Sequence, residues 1–194
     1  MGQAWRGWFH VVGSTYGAWL PGDERGFRTR HHREHVQGDY KNRPTGSREH
    51  LHEHARASMK GDAVVFPREV RSAVSDYLIE ALDHHNIEFA ALCVAATHFH
   101  VLIRFPPSPP PPGGGTVGGG NVGGANLKVV VGRLKSWVTY RMKQDHADAV
   151  PPAGAGGLWG KGMKVVPIND EGHFGAVRGY IGKHQGQGAE VVLR

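Results

Sequence analysis

One cysteine in 194 residues leaves this chain no internal disulfide. Cys93, set in an apolar run, reads as a small buried hydrophobe, and such cysteine usage suits a reducing cytoplasm. Neither a Cys-x-x-Cys nor a His-Glu-x-x-His pattern occurs, which leaves a zinc hydrolase unrelated to DNA with the least support among the metal readings. No stretch reaches the roughly 18 apolar residues of a membrane span, and the first residues lack a signal-peptide core. A soluble, cytoplasmic protein is expected. The glycine runs are not closed by Lys-Ser or Lys-Thr, so none reads as a phosphate-cradling loop. Acidic residues are the minority, 17 against 23 basic ones, and the net charge of +6 favours a polyanionic partner such as nucleic acid.

Histidine is what the chain has in excess: there are 14, and at that frequency a His-x-His pair is expected about once by chance. Three occur. His50-x-His52 and His52-x-His54 sit among Ser47, Arg48, Glu49, Glu53 and Arg56 with no apolar alternation, and read as solvated. His98-x-His100 has apolar runs on both sides, Phe89 to Ala96 before and Val101 to Phe105 after. In a strand, His98 and His100 share one face while Phe99 and Val101 share the other. One face is a candidate metal clamp, the other is core.

The remaining pattern places that strand. Trp8 to Ser14 reads as a first strand, followed by a turn-rich stretch from Thr15 to Gly26. A histidine-rich excursion over about residues 28–62 has little periodicity, as a long surface segment or one poorly formed helix would. Pro67 opens a helix with Val70, Val74, Tyr77, Leu78 and Ala81 on one face, ending near His84 to Asn86. Ile87 to Ala96 and Phe99 to Phe105 form an antiparallel pair. Residues 106–125 are a Pro/Gly-rich insertion, flexible and partly polyproline by composition. Leu127 to Gln144 is a second helix, Met163 to Pro167 a short strand, and Asn169 or Asp170 caps a third helix from about Glu171 to His184. Strand, helix, strand, strand, helix, strand and an extra helix make one α+β domain. Its expected form is a ferredoxin-like sandwich: an antiparallel sheet, helices packed on one face, and a C-terminal helix carrying a tyrosine.

Tyr180 and His184 stand four residues apart on that last helix and project from one side. Should it lie near the histidine pair, nitrogen ligands and a phenol would meet, as cleavage of a phosphodiester requires. A tyrosine has a pKa of about 10, so its proton must be helped away. Tyr140 on the second helix is a rival nucleophile, while Tyr16 and Tyr77 read as loop and core residues.

Several of these stretches together resemble the single-tyrosine HUH nucleases, the small insertion-sequence transposases and their REP-associated tyrosine transposase relatives. They are the Phe9 to Ser14 strand, His98-Phe99-His100-Val101-Leu102-Ile103, Leu134-Lys135-Ser136-Trp137, Gly157-Leu158-Trp159 and Gly179-Tyr180-Ile181, in that order. The loop from Thr15 to Asp23 also looks like one found in a branch of that group. The resemblance implies a ferredoxin-like fold with His98 and His100 on a divalent metal, Mg²⁺ or Mn²⁺. It also implies Tyr180 as the nucleophile forming a 5′-phosphotyrosine link, and His184 as a third ligand. Ala96-Thr97 stands where relatives have Pro-Asn, and Lys183-His184-Gln185 where they often have Asn-Pro. Histidine in that place shifts preference toward borderline ions such as manganese or zinc, and the absent proline lets the helix run on.

Function by this reading is a metal-dependent single-stranded DNA endonuclease and strand transferase; the alternative is a catalytically silent protein of the same fold that binds DNA hairpins. Candidate phosphate contacts are Arg25, Arg28, Arg30, Arg133, Lys135 and Arg141, and candidate stacking surfaces are Trp19, Trp159 and Phe27. A homodimer is left open.

Overall fold

The structure is a computed structural model that describes residue 5 and residues 7–23, 27–28, 35–36, 49–105 and 124–194. Its frame is a five-stranded antiparallel sheet of β1 (Trp8–Thr15), β4 (Glu88–Val94), β5 (His98–Arg104), β6 (Trp159–Pro167) and β7 (Glu190–Leu193), in the order β6-β1-β5-β4-β7. Two short segments, β2 (Phe27–Arg28) and β3 (His35–Val36), pair separately. The helices are α1 (Glu49–Ala57), α2 (Arg68–His84), α3 (Gly124–Asp145) and α4 (Glu171–Lys183). Placing β1 between β5 and β6, with β4 beyond β5, is the ferredoxin-like arrangement of two split βαβ halves, and β7 extends it at the β4 edge.

Both faces of the sheet are covered, and strand alternation decides what each receives. Val11 of β1 and Phe99, Val101 and Ile103 of β5 point to the side where α2 and α3 pack. There Val74, Leu78 and Leu82 meet Leu134, Val138 and Met142 in the main core. Trp8, Cys93 and Leu102 point to the other side, where Val177 and Ile181 of α4 cover them. The alternation expected for β5 is therefore present: Phe99 is fully buried in the main core while His100 faces α4.

Connections are fixed by polar side chains. Thr15 is 1% exposed, and its hydroxyl donates to Val64 O at 2.6 Å with Thr97 O a second acceptor within reach at 3.1 Å, tying the end of β1 to the entries of α2 and β5. Asp170 caps α4 by accepting from His173 N at 2.7 Å. The helix does run on past its last α-turn, as a 3₁₀ turn from His184 to Gln187 that stops at Gly188 with φ of +79°. Arg71 then donates to Gly188 O at 2.6 Å and holds the chain as it enters β7.

Three elements differ from expectation. Strand β6 begins at Trp159, four residues before Met163. Strand β7 was unforeseen; it pairs Ala91 to Val94 with Leu193 to Glu190. The described part of the histidine-rich excursion includes α1, a regular helix with no buried residue. The Pro/Gly insertion lies outside the described residues, apart from its last two positions at the start of α3. No helix among the described residues is long and apolar enough to cross a membrane.

Candidate metal and nucleophile site

Sheet register gathers the site. Ser14 lies opposite His98, and Val12 opposite His100. On the far side of β5, Cys93 lies opposite His100. Directly opposed residues of an antiparallel pair share a face, so the histidine pair, Cys93 and the even-numbered residues of β1 all look toward α4. That helix brings Tyr180 and His184. Ring centroids are separated by 5.0 Å for His98 and His100, 5.7 Å for His98 and His184, and 4.9 Å for His100 and His184. Tyr180 stands 4.8 Å from His184 and 5.3 Å from His100 by the same measure.

Other tyrosines are elsewhere. Tyr140 is on α3, which packs on the opposite face of the sheet. Tyr77 bonds Asp145 at 2.7 Å, and the Tyr16 hydroxyl accepts from Lys60 N. The separation of His98 and His100 from the His50 to His54 group is equally plain, because the latter sits on the surface helix α1.

Hydrogen bonds orient the rings. His10 Nε2 and His100 Nδ1 lie 2.9 Å apart with the rings stacked. When His100 Nδ1–H is the donor, His100 Nε2 keeps its lone pair for a ligand role. His184 Nδ1 faces Gln187 Oε1 at 3.3 Å, and when Nδ1–H donates to that oxygen the other ring nitrogen carries no proton. His184 Nε2 is then a lone pair, fully buried and without a hydrogen-bond partner among the described residues. A buried nitrogen left so costs about 1–3 kcal/mol, and a cation recovers it. With nitrogen–metal bonds of about 2.1 Å, rings on a shared ion have centroids roughly 4.5–5.3 Å apart. The His98–His100 and His100–His184 spacings fall in this range and His98–His184, at 5.7 Å, exceeds it; the donor atoms that lie within 4.8 Å of one another, and so fit a metal ion, are those of His100, His184 and Cys93.

Burial tunes the same groups. It pushes the His100 pKa down to about 2, with His98, His10 and His184 adding repulsion. His10 is pushed down to about 4, again chiefly by burial, with Lys164 next. Both rings are neutral at pH 7, the state that binds metal. The stability consequence has a definite sign. A histidine whose folded pKa lies below its unfolded value keeps its contribution above about pH 6.5 and loses it as the pH falls toward the folded pKa. For His100, 5% exposed, lowering the pH from about 7.5 to about 5.5 is expected to cost about 1.4 kcal/mol in metal-free protein. Urea unfolding in chelator at the two pH values measures this, and His100→Asn should remove that share. An unchanged slope in the variant would assign the loss to other groups.

The histidines and Tyr180 open onto a cleft of about 1010 Å³. Lys161 and Lys164 from β6 line it, together with Trp19 and Gln187, and no acidic side chain is among the described residues that line it. Such a wall attracts anions.

The predicted DNA contacts distribute unevenly. Trp19, 47% exposed, is at the cleft. Arg133 and Arg141 are on α3, away from it, and Arg141 is engaged with Glu80 at 2.6 Å and Asp145 at 3.2 Å. Lys135 reaches the carbonyls of Gly160 and Gly162 at 3.1 and 2.8 Å, and burial pushes its pKa down to about 8. Trp159 donates to Lys135 O at 3.0 Å and packs edge-on against Phe66 and Phe99. These two brace β6 against α3. Arg25, Arg30 and the side chains of Phe27 and Arg28 lie outside the described residues.

Sequence reasoning missed His10, Lys161, Lys164 and Gln187, and saw in Cys93 only its burial. The available signals were the alternation His10-Val12-Ser14 on β1 and the three-residue step from His184 to Gln187.

No protein-family model matches this chain, and no curated protein sequence does. Among solved structures it is similar to an inferred transposase of Deinococcus radiodurans R1, with 16% identity and a TM-score of 0.44 over 91% of this chain and 88% of that one. A likeness that distant decides neither fold nor chemistry.

Proposed function

We propose that the protein is a metal-dependent endonuclease and strand transferase for single-stranded or hairpin DNA, working through a 5′-phosphotyrosine intermediate. The observation that carries this reading is the placement of the Tyr180 ring 4.8 and 5.3 Å from those of His184 and His100. His98, His100 and His184 would hold the ion, Mg²⁺ or Mn²⁺, which when bound supplies Lewis acidity to a non-bridging phosphoryl oxygen. Tyr180 Oη attacks phosphorus, the new O–P bond replaces the P–O3′ bond, and the phenol loses its proton while the departing 3′ oxygen gains one. The 3′-side strand stays attached to the protein, and its phosphoester bond is kept for rejoining. Lys161 and Lys164 supply phosphate attraction along the cleft, and Trp19 offers a stacking surface for a base.

A hairpin labelled at its 3′ end, incubated with protein and Mn²⁺, should yield a label that migrates with denatured protein. Binding of intact hairpin with steep salt dependence, and no breakage with any divalent ion, would instead indicate a silent hairpin-binding protein.

A further inference from the structure

Cys93 has no part in the reaction above, yet it lies against its centre. It is wholly buried on β4 and opposes His100 in the sheet register. Its sulfur and one ring nitrogen from each of His100 and His184 all lie within 4.8 Å of one another. His184, only 7% exposed, belongs to that trio, and its Nε2 has no hydrogen-bond partner among the described residues.

The centre proposed above and this trio therefore share His100 and His184. The first would be completed by His98 at the cleft, the second by Cys93 inside the sheet-helix interface. The ligand chemistry differs. Three imidazoles suit manganese as well as zinc, whereas a thiolate with two imidazoles selects thiophilic ions such as Zn²⁺, Cd²⁺ and Co²⁺ and disfavours Mg²⁺. We infer that Cys93, His100 and His184 form a second, thiophilic metal site that takes Zn²⁺ or Cd²⁺ in exchange for the cysteine proton. This rests on the reading of His100 and His184 as metal ligands. Because both ions need the same two histidines, Zn²⁺ in the inner triad excludes Mg²⁺ or Mn²⁺ from the outer one. The site thus acts as an inhibitory zinc switch on the proposed activity.

Titration of the full-length protein with Co²⁺ and Cd²⁺ tests this without any DNA. Wild-type protein should develop a sulfur-to-metal charge-transfer band at one equivalent of either ion, and so should His98→Ala. Cys93→Ser and Cys93→Ala should lose that band and bind Cd²⁺ more weakly, on the order of 100-fold or more. Their Mn²⁺ affinity should stay within about twofold of wild type, with circular dichroism confirming that each variant is folded. Co²⁺ binding by wild type with no thiolate band, abolished by His98→Ala, would overturn the inner site while sustaining the three-histidine centre. Failure of every ion to bind would overturn both. A thiolate band with no Mn²⁺ binding would support Cys93 and defeat the outer triad.

Discussion

Tyr180→Phe is expected to abolish the protein–DNA adduct, leaving less than about one part in 10⁴ of the wild-type signal, while hairpin affinity and Mn²⁺ affinity change by less than about twofold. The physical basis is a deletion of one atom. Phenylalanine keeps the ring that packs at 4.8 Å against His184 and 5.3 Å against His100. It lacks only the oxygen to which the proposed attack on phosphorus is assigned. Tyr180 is 47% exposed, so the loss of its hydroxyl leaves no buried cavity and little cost in stability. Tyr140→Phe should keep full adduct formation, because Tyr140 stands on α3 on the far face of the sheet. His184→Ala makes a useful contrast: adduct and Mn²⁺ affinity should fall together, since it removes the nitrogen and not the nucleophile. An adduct persisting in Tyr180→Phe would move the nucleophile to another residue and end the present assignment.

Much of the scaffold beneath this site is local information. Val70, Val74, Tyr77, Leu78 and Ala81 recur at helical spacing, and the same five are buried in α2. His98 to Arg104 alternates because one face of β5 meets a greasy core and the other meets α4. What stayed hidden depends on pairing between distant strands. His10 is an unremarkable residue of an apolar run until β1 and β5 are set in register, 90 positions apart, and a one-residue slip would put it in the core. Cys93 is legible as buried but not as opposed to His100 for the same reason. Lys161 and Lys164 fall in a glycine-interrupted stretch whose strand character comes from pairing with β1, not from its own propensity. Strand β7 has four residues and no alternation in burial, so only the open edge of β4 gives it a structure. The catalytic candidates were readable as motif; the groups that orient and surround them were readable only as topology.

That topology makes one glycine unusually consequential. A Cβ added at Gly13 would overlap the ring of Phe99, with its Cζ 2.5 Å away, and would press the Lys135 stem at 3.1 Å. Phe99 cannot yield easily: it is fully buried and held edge-on by Trp159 at 5.4 Å. Two effects oppose each other in Gly13→Ala. Relief of glycine's backbone entropy favours the variant by about 0.5–1 kcal/mol, while overpacking of a fixed aromatic costs about 1–3 kcal/mol. The clash wins, and a net loss of about 1–2 kcal/mol is expected by urea denaturation. Phe99 lies between His98 and His100 in the chain, so displacing its ring also tilts β5 where the two imidazoles project. Folded Gly13→Ala should therefore bind Mn²⁺ more weakly, on the order of 10-fold. Phe99→Leu supplies the control. On that smaller background the added methyl enters vacated space, so Gly13→Ala should become neutral or stabilising, giving a coupling of about 1–3 kcal/mol in the double-mutant cycle. Additive losses would show that the Gly13 strand does not support the histidine pair through Phe99.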